Sequence, residues 1–178
     1  MHQPLLKTCE MFKKQPKIEV KPTPFESKLI LIGWILVGFN FLLAFYASIE
    51  LSERIPIHFN LSGEPDGFGD KSAVWAAPII GLLIYWGMNL ITSKIKPWNF
   101  NYPVKVTAEN AEILYKMGNR MIAIPNFGMA FLFLLITLHI IVTSKGFEQY
   151  TSWLFWPSVI FLTVFPFYII FKMLKFSK

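Results

Sequence analysis

Residues 29–49 read LILIGWILVGFNFLLAFYASI, twenty-one residues without a charge, set between Lys28 and Glu50. At a rise of about 1.5 Å per residue this block makes a helix of about 31 Å, which matches a hydrocarbon core of about 30 Å. The apolar region of a signal peptide is about 7–15 residues long and leads to a small-residue cleavage site. The block exceeds that, so an uncleaved membrane anchor is expected. Three further charge-free blocks follow at 73–93, 121–144 and 153–171, bounded by Lys71 and Lys94, by Arg120 and Lys145, and by Lys172. In lipid only helices and closed barrels satisfy their backbone groups, and barrel strands show alternation over about 10 residues. Four uninterrupted blocks therefore predict an all-α membrane protein with four transmembrane helices.

The spans differ in character. Block 29–49 holds thirteen Leu, Ile, Phe or Val residues and block 73–93 only eight. Each such residue favours insertion by about 0.3–0.6 kcal/mol near the helix centre, so the second span inserts less readily. Its Pro78, Gly81, Gly87 and Asn89 predict packing against neighbouring helices, not lipid. Pro125, Pro157 and Pro166 are expected to disturb helix bonding locally. Composition agrees with a membrane class, with 54% hydrophobic and 16% charged residues in 178, against about 25% charged in a soluble domain. The net charge of +6 comes from lysines flanking apolar blocks, not from a basic face with interleaved aromatics, so nucleic acid is not an expected partner. Cys9 is the single cysteine and is read as a reduced thiol in a cytoplasmic tail, which excludes an internal disulfide.

Lysine and arginine set the expected orientation. Residues 1–28, 94–120 and 172–178 carry six, five and three, whereas 50–72 carries two and 145–152 one. Fourteen against three places both termini in the cytoplasm of a cell inner (plasma) membrane, with 1–28 and 172–178 as basic tails around a membrane domain at 29–171. Trp34 and Trp98 then fall near the inner interface, and Trp75, Trp153 and Trp156 near the outer one. In the inner loop Thr107 reads as an N-cap with Glu109 in the first turn. Ala111, Leu114, Tyr115, Gly118, Met121 and Ile122 recur at helical spacing, predicting a short amphipathic helix that runs into the third span.

The compact outer loop, 50–72, is the segment with most chemistry. Ile55, Ile57, Phe59 and Leu61 alternate with Pro56, His58 and Asn60, which predicts a short extended segment with His58 and Asn60 on its polar face. Pro65-Asp66-Gly67 reads as a turn, with Gly67 expected at a positive φ, and Gly63, Gly67 and Gly69 all allow close backbone approach or positive φ. Asp70 or Ser72 is expected to cap the second span. One reading is a hairpin that seals two helix ends. The other is a binding site built from His58, Asn60, Glu64, Asp66 and Asp70. A histidine there makes any ligand binding expected to vary between about pH 5 and 8. One histidine with carboxylates at no fixed spacing does not specify a metal site, so none is assigned and no cofactor is expected. Asn60-Leu61-Ser62 fits a glycosylation sequon, which matters only in a secretory pathway. Inside the spans, Asn40 is expected to bond across to another helix. His139 lies five residues before the outer end of the third span, which brings it within reach of the His58 loop.

The run Arg54-Ile55-Pro56-Ile57-His58-Phe59-Asn60, continued by Gly63-Glu64-Pro65-Asp66-Gly67 and Gly69-Asp70-Lys71-Ser72, resembles a bacterial membrane family of unknown function. That domain also forms the N-terminal part of the Sdp-type immunity proteins, which protect toxin-producing cells. The resemblance spans about residues 35–85, and residues 102–112 are similar to a loop that often follows. It implies Arg54, Pro56, Gly63, Pro65, Gly67, Gly69 and Lys71 as a structural motif, and peptide-toxin immunity or envelope-stress sensing through the loop. The partners this implies are the lipid bilayer and a peptide or another membrane protein. Two other readings stay open: a small accessory subunit of a transporter, and a membrane metallohydrolase. Against an enzyme, the chain has no His-Glu-x-x-His pair and no nucleophile elbow, and the four blocks hold no acids.

Overall fold

The computed structural model describes residues 15–147 and 152–177. Cys9 and residues 148–151 of the loop 145–152 lie outside the described residues.

Helix α1 runs over Pro24–Glu50 and begins five residues before the charge-free block. The cause is local. Thr23 Oγ1 accepts from the Glu26 amide at 3.4 Å, Glu26 Oε2 accepts from the Thr23 amide at 2.6 Å, and Pro24 opens the first turn. This reciprocal capping box satisfies two amides that the helix itself cannot. Leu51 then turns extended and leads into an antiparallel hairpin, β1 (Arg54–Phe59) and β2 (Pro65–Asp70). Asp70 Oδ1 accepts from the Ser72 amide at 2.8 Å and caps a 3-10 turn, Lys71–Trp75, which feeds α2 (Ala76–Lys94). A second 3-10 turn, Pro97–Asn99, precedes α3 (Ala111–Ser144), and α4 (Ser152–Leu174) follows. All four helices are long and apolar enough to cross a membrane, so the chain is a multi-pass membrane protein with a small two-stranded sheet.

Two expectations need correction. The amphipathic helix does run into the third span, and the two form one continuous helix of 34 residues, about 51 Å long by helical rise, or about 20 Å more than a hydrocarbon core requires. Thr107 does not cap it. Asn110 is the N-cap, and its side chain bridges outward: Oδ1 accepts from the Thr107 amide at 2.8 Å while Nδ2 donates to Lys105 O at 3.0 Å. Glu109 therefore stays in the preceding turn, where hydrogen bonding to Thr107 holds its carboxyl below the usual range. The packed helix is α3, not α2. It sits against α1, α2 and α4 and is the most buried of the four. Ala77, Pro78, Gly81 and Tyr85 of α2 are buried, but Ile79, Ile80, Leu83, Trp86 and Leu90 face outward. The helical stretches run on through Pro125, Pro157 and Pro166.

Asn40 also departs from expectation. It is 2% exposed, yet its Oδ1 has no hydrogen-bond partner among the described residues. It lies on the buried seam of α1 between Val37 and Ala44, whose side chains carry no donor.

Contacts define two ends of the bundle. At the hairpin end, His139 of α3 and Trp156 of α4 bond to the β1–β2 turn. At the tail end, Tyr115 Oη donates to Pro16 O at 2.6 Å and Asn110 Nδ2 donates to Phe176 O at 3.3 Å. The chain thus enters and leaves the bundle at the same end.

Candidate functional site at the hairpin end

The hairpin is held to the bundle at its base. Ile55 is fully buried, in a cluster with Ala44, Ala47, Leu51, Val74, Ile140 and Ile141. The expected alternation stops there. Pro56 is buried, Ile57 is half exposed, Phe59 is partly buried and Leu61 is 81% exposed. The pairing register is irregular around Ile57 and His58. The glycines of β2 explain what fills the space. A Cβ on Gly69 would stand 2.7 Å from Ile57 Cδ1, and one on Gly67 would stand 2.9 Å from His58 Cβ.

The turn falls at Asn60–Gly63, not at Pro65-Asp66-Gly67, which lies in β2. Asn60 builds it. Its Oδ1 accepts from the Ser62 and Glu64 amides at 2.9 and 3.0 Å, and its Nδ2 donates to Glu64 Oε2 at 3.0 Å. Asparagine commonly organises turns by bonding its own backbone two residues on. Gly63, with φ 84°, takes the left-handed position assigned from sequence to Gly67. Gly67→Val is still expected to lower membrane abundance, because of the cross-strand contact with His58 and not because of backbone sign. The matched Gly63→Val, measured by quantitative immunoblot of membranes, should do so through φ.

His58 Nδ1 and Asp66 Oδ1 share a hydrogen bond across the strands, with side chains 72% and 45% exposed. An exposed pair of this kind contributes about 0–1 kcal/mol. It orients the imidazole without holding the hairpin together. Asp70 sits at the other end of the hairpin, opposite Arg54, where it caps the 3-10 turn. Hydrogen bonds from Ser72 hold its carboxyl below the usual range. Nearby, Lys71 pairs with Glu53 at 2.8 Å.

His139 reaches the same turn from below. Its Nε2 lies 3.1 Å from Gly63 O, and its ring lies 4.3 Å from that of Phe59. A carbonyl only accepts, so Nε2 carries the proton in this contact. Trp156 Nε1 donates to Leu61 O at 3.1 Å. Two helices therefore clasp two successive parts of one turn. Beneath the turn is a cavity of about 260 Å³. Its ceiling is Ile57, Phe59 and Leu61, its floor is Ile136, Phe155 and Trp156, and His58, Asn60 and His139 supply polar edges. Such a lining suits an apolar or aromatic group with one or two hydrogen-bonding points.

The structure brings His58, Asn60 and His139 to this cavity, pairs Glu64 and Asp66 with them, and leaves Asp70 outside it. The sequence reading missed Trp156 as a wall, having placed it in the interfacial belt. It also missed Phe155 and Ile136. Among the described residues no three His, Cys, Asp or Glu side chains group as a metal site.

Residues 35–82 match the DUF1648 family, described as a domain of unknown function. The match takes in the second half of α1, the hairpin and the first part of α2, well under half of the chain. It supplies the ceiling of the cavity, while His139, Phe155 and Trp156 come from outside it. No curated protein and no solved structure matches the chain.

Proposed function

We propose that this protein recognises an apolar peptide at the hairpin end of the bundle, as an immunity or envelope-stress component of the cell membrane. The observation that carries the reading is the apolar cavity between the turn and α3–α4, edged by His58, Asn60 and His139. An apolar side chain of a membrane-active peptide fits that lining, and its backbone would find the exposed His58–Asp66 pair at the mouth. The resemblance of the hairpin to the N-terminal part of Sdp-type immunity proteins supports the same ligand class.

The orientation is part of the proposal. Segments 1–28, 94–120 and 172–178 hold fourteen of the seventeen lysines and arginines, which favours the cytoplasmic side for them and leaves the hairpin outside. Alkaline phosphatase, active only outside the cytoplasm, is expected to be inactive when fused after Lys178 and active when inserted in the 50–72 loop. The reverse pattern overturns the topology.

The functional test pairs two readouts. Cells lacking the gene are challenged with toxic apolar peptides, and variants are scored for protection and for membrane abundance. Because the His58–Asp66 pair contributes little stability, His58→Ala and Asp66→Ala are expected to abolish protection at unchanged abundance. If protection and abundance fall in parallel, the hairpin is a structural seal and the binding reading fails.

A further inference from the structure

A second cavity, of about 310 Å³, lies at the tail end between α1, α2 and α3. It carries more polar side chains than the first, Glu26, Asn89, Thr92, Ser93, Asn119 and Asn126, set among apolar ones such as Ile30, Ile95 and Ile122. Five of its side chains already use a donor within the chain. Asn89 Nδ2 and Asn126 Nδ2 both donate to Tyr85 O, at 2.8 and 3.4 Å. Thr92 Oγ1 donates to Met88 O and Ser93 Oγ to Leu90 O. Tyr85 Oη donates to Ile30 O at 2.8 Å.

The acceptors are not all engaged. Glu26 and Asn126 are 2% and 6% exposed, yet Glu26 Oε1 and Asn126 Oδ1 have no hydrogen-bond partner among the described residues. The other Glu26 oxygen is held by the capping box. Arg120 Nε approaches Oε1 at 3.4 Å without hydrogen-bonding geometry. Buried polar atoms left unpaired cost about 1–3 kcal/mol each, so two on one cavity call for a donor beyond the described residues. A carboxylate makes the strongest such bonds with a cationic N–H group.

The rim has the opposite sign. Lys96 is exposed and lines the mouth, and Arg120 is about half exposed beside Glu26. A buried acceptor floor beneath a cationic rim, where lysines flank the helix ends, complements a zwitterion with its ammonium inward and its phosphate outward.

We infer that this cavity binds a phosphoethanolamine group, either as the headgroup of a membrane phospholipid or as the free molecule. The site is separate from the peptide-binding proposal and does not depend on it.

The test uses the full chain in dodecyl maltoside, read by thermal unfolding and by titration. The probes are dihexanoyl phosphatidylethanolamine, dihexanoyl phosphatidylcholine, phosphoethanolamine and phosphocholine. The choline forms keep the phosphate and the charge but have no N–H donors. The ethanolamine lipid is expected to bind at least about tenfold more tightly than the choline lipid. Preference shown only by the lipid pair assigns a lipid source. An equal preference in the free pair assigns a soluble one. Equal affinity for ethanolamine and choline forms, or no shift with either, overturns the inference. Glu26→Gln keeps an oxygen for the Thr23 amide but removes the charge, and Asn126→Leu removes the second acceptor. Each is expected to erase most of the preference, and a preference unchanged in both variants places the ligand elsewhere.

Discussion

Gly33→Ala is expected to cost about 1–3 kcal/mol, the range for forcing extra bulk into a packed interior. An added Cβ at Gly33 would stand 2.1 Å from Tyr85 Oη and 2.4 Å from Tyr85 Cζ. The ring has little freedom to retreat. Tyr85 is 1% exposed, meets Trp34 edge-on at 5.2 Å and holds Ile30 O through its hydroxyl. Moving it breaks a bond that crosses from α2 to α1 within the membrane. Gly38 and Gly87 serve as controls, since a Cβ at either meets nothing within 4 Å. Gly38→Ala and Gly87→Ala should be neutral or slightly stabilising, because alanine suits a helix better than glycine. The measurement is thermal unfolding in detergent with a double-mutant cycle. In a Tyr85→Ala background Gly33→Ala should cost little, and a cost that persists there would locate the clash in some other contact.

How legible the fold was in the sequence depended on which signal each part carries. Length and absence of charge place the four spans, because lipid leaves few ways to satisfy a backbone. Boundaries are set by local polar bonds that hydropathy does not weigh. Thr23-Pro24-Phe25-Glu26 is a capping box in plain view, but a search for charge-free runs stops at Lys28 and leaves Glu26 outside. The four blocks hold no acids, yet one carboxylate just outside them is buried at the foot of α1. Which helix takes the centre of the bundle was not legible either. Proline, glycine and asparagine content pointed to the second span, whereas centrality depends on how long α3 is and on which neighbours it meets along its length.

The site was partly legible. Alternation placed His58 in an extended segment, though that segment ends at Phe59 and Asn60 opens the turn, and helical rise put His139 at the same end of the bundle. The turn was misplaced because Pro65-Asp66-Gly67 is the denser cluster of turn formers, while Asn60 makes three hydrogen bonds that spacing alone does not announce. Asn60 is therefore committed to the turn before any ligand arrives. Trp156 was out of reach because no local pattern joins a residue of the fourth helix to a carbonyl ninety-five positions earlier.

Ile55→Ala is expected to cost about 2–5 kcal/mol, as for other large-to-small changes in a core. Ile55 is 0% exposed and plugs the space between α1, α3 and the 3-10 turn, touching a cluster that includes Ala44, Val74 and Ile140. Leu61 is an apolar residue six positions further on, but it is 81% exposed at the turn. Leu61→Ala should leave unfolding temperature and membrane abundance unchanged. The two substitutions separate the two roles of one hairpin, since Ile55 anchors it and Leu61 roofs the cavity. If the cavity receives a peptide, Leu61→Ala should weaken protection at full abundance, whereas Ile55→Ala should lower protection only as far as it lowers abundance. Joining Ile55→Ala to His58→Ala sharpens the contrast, because the first acts on stability and the second on the ligand, so their effects on unfolding should simply add. Protection that tracks abundance in every variant, Leu61→Ala included, would mean that the hairpin does nothing beyond closing the end of the bundle.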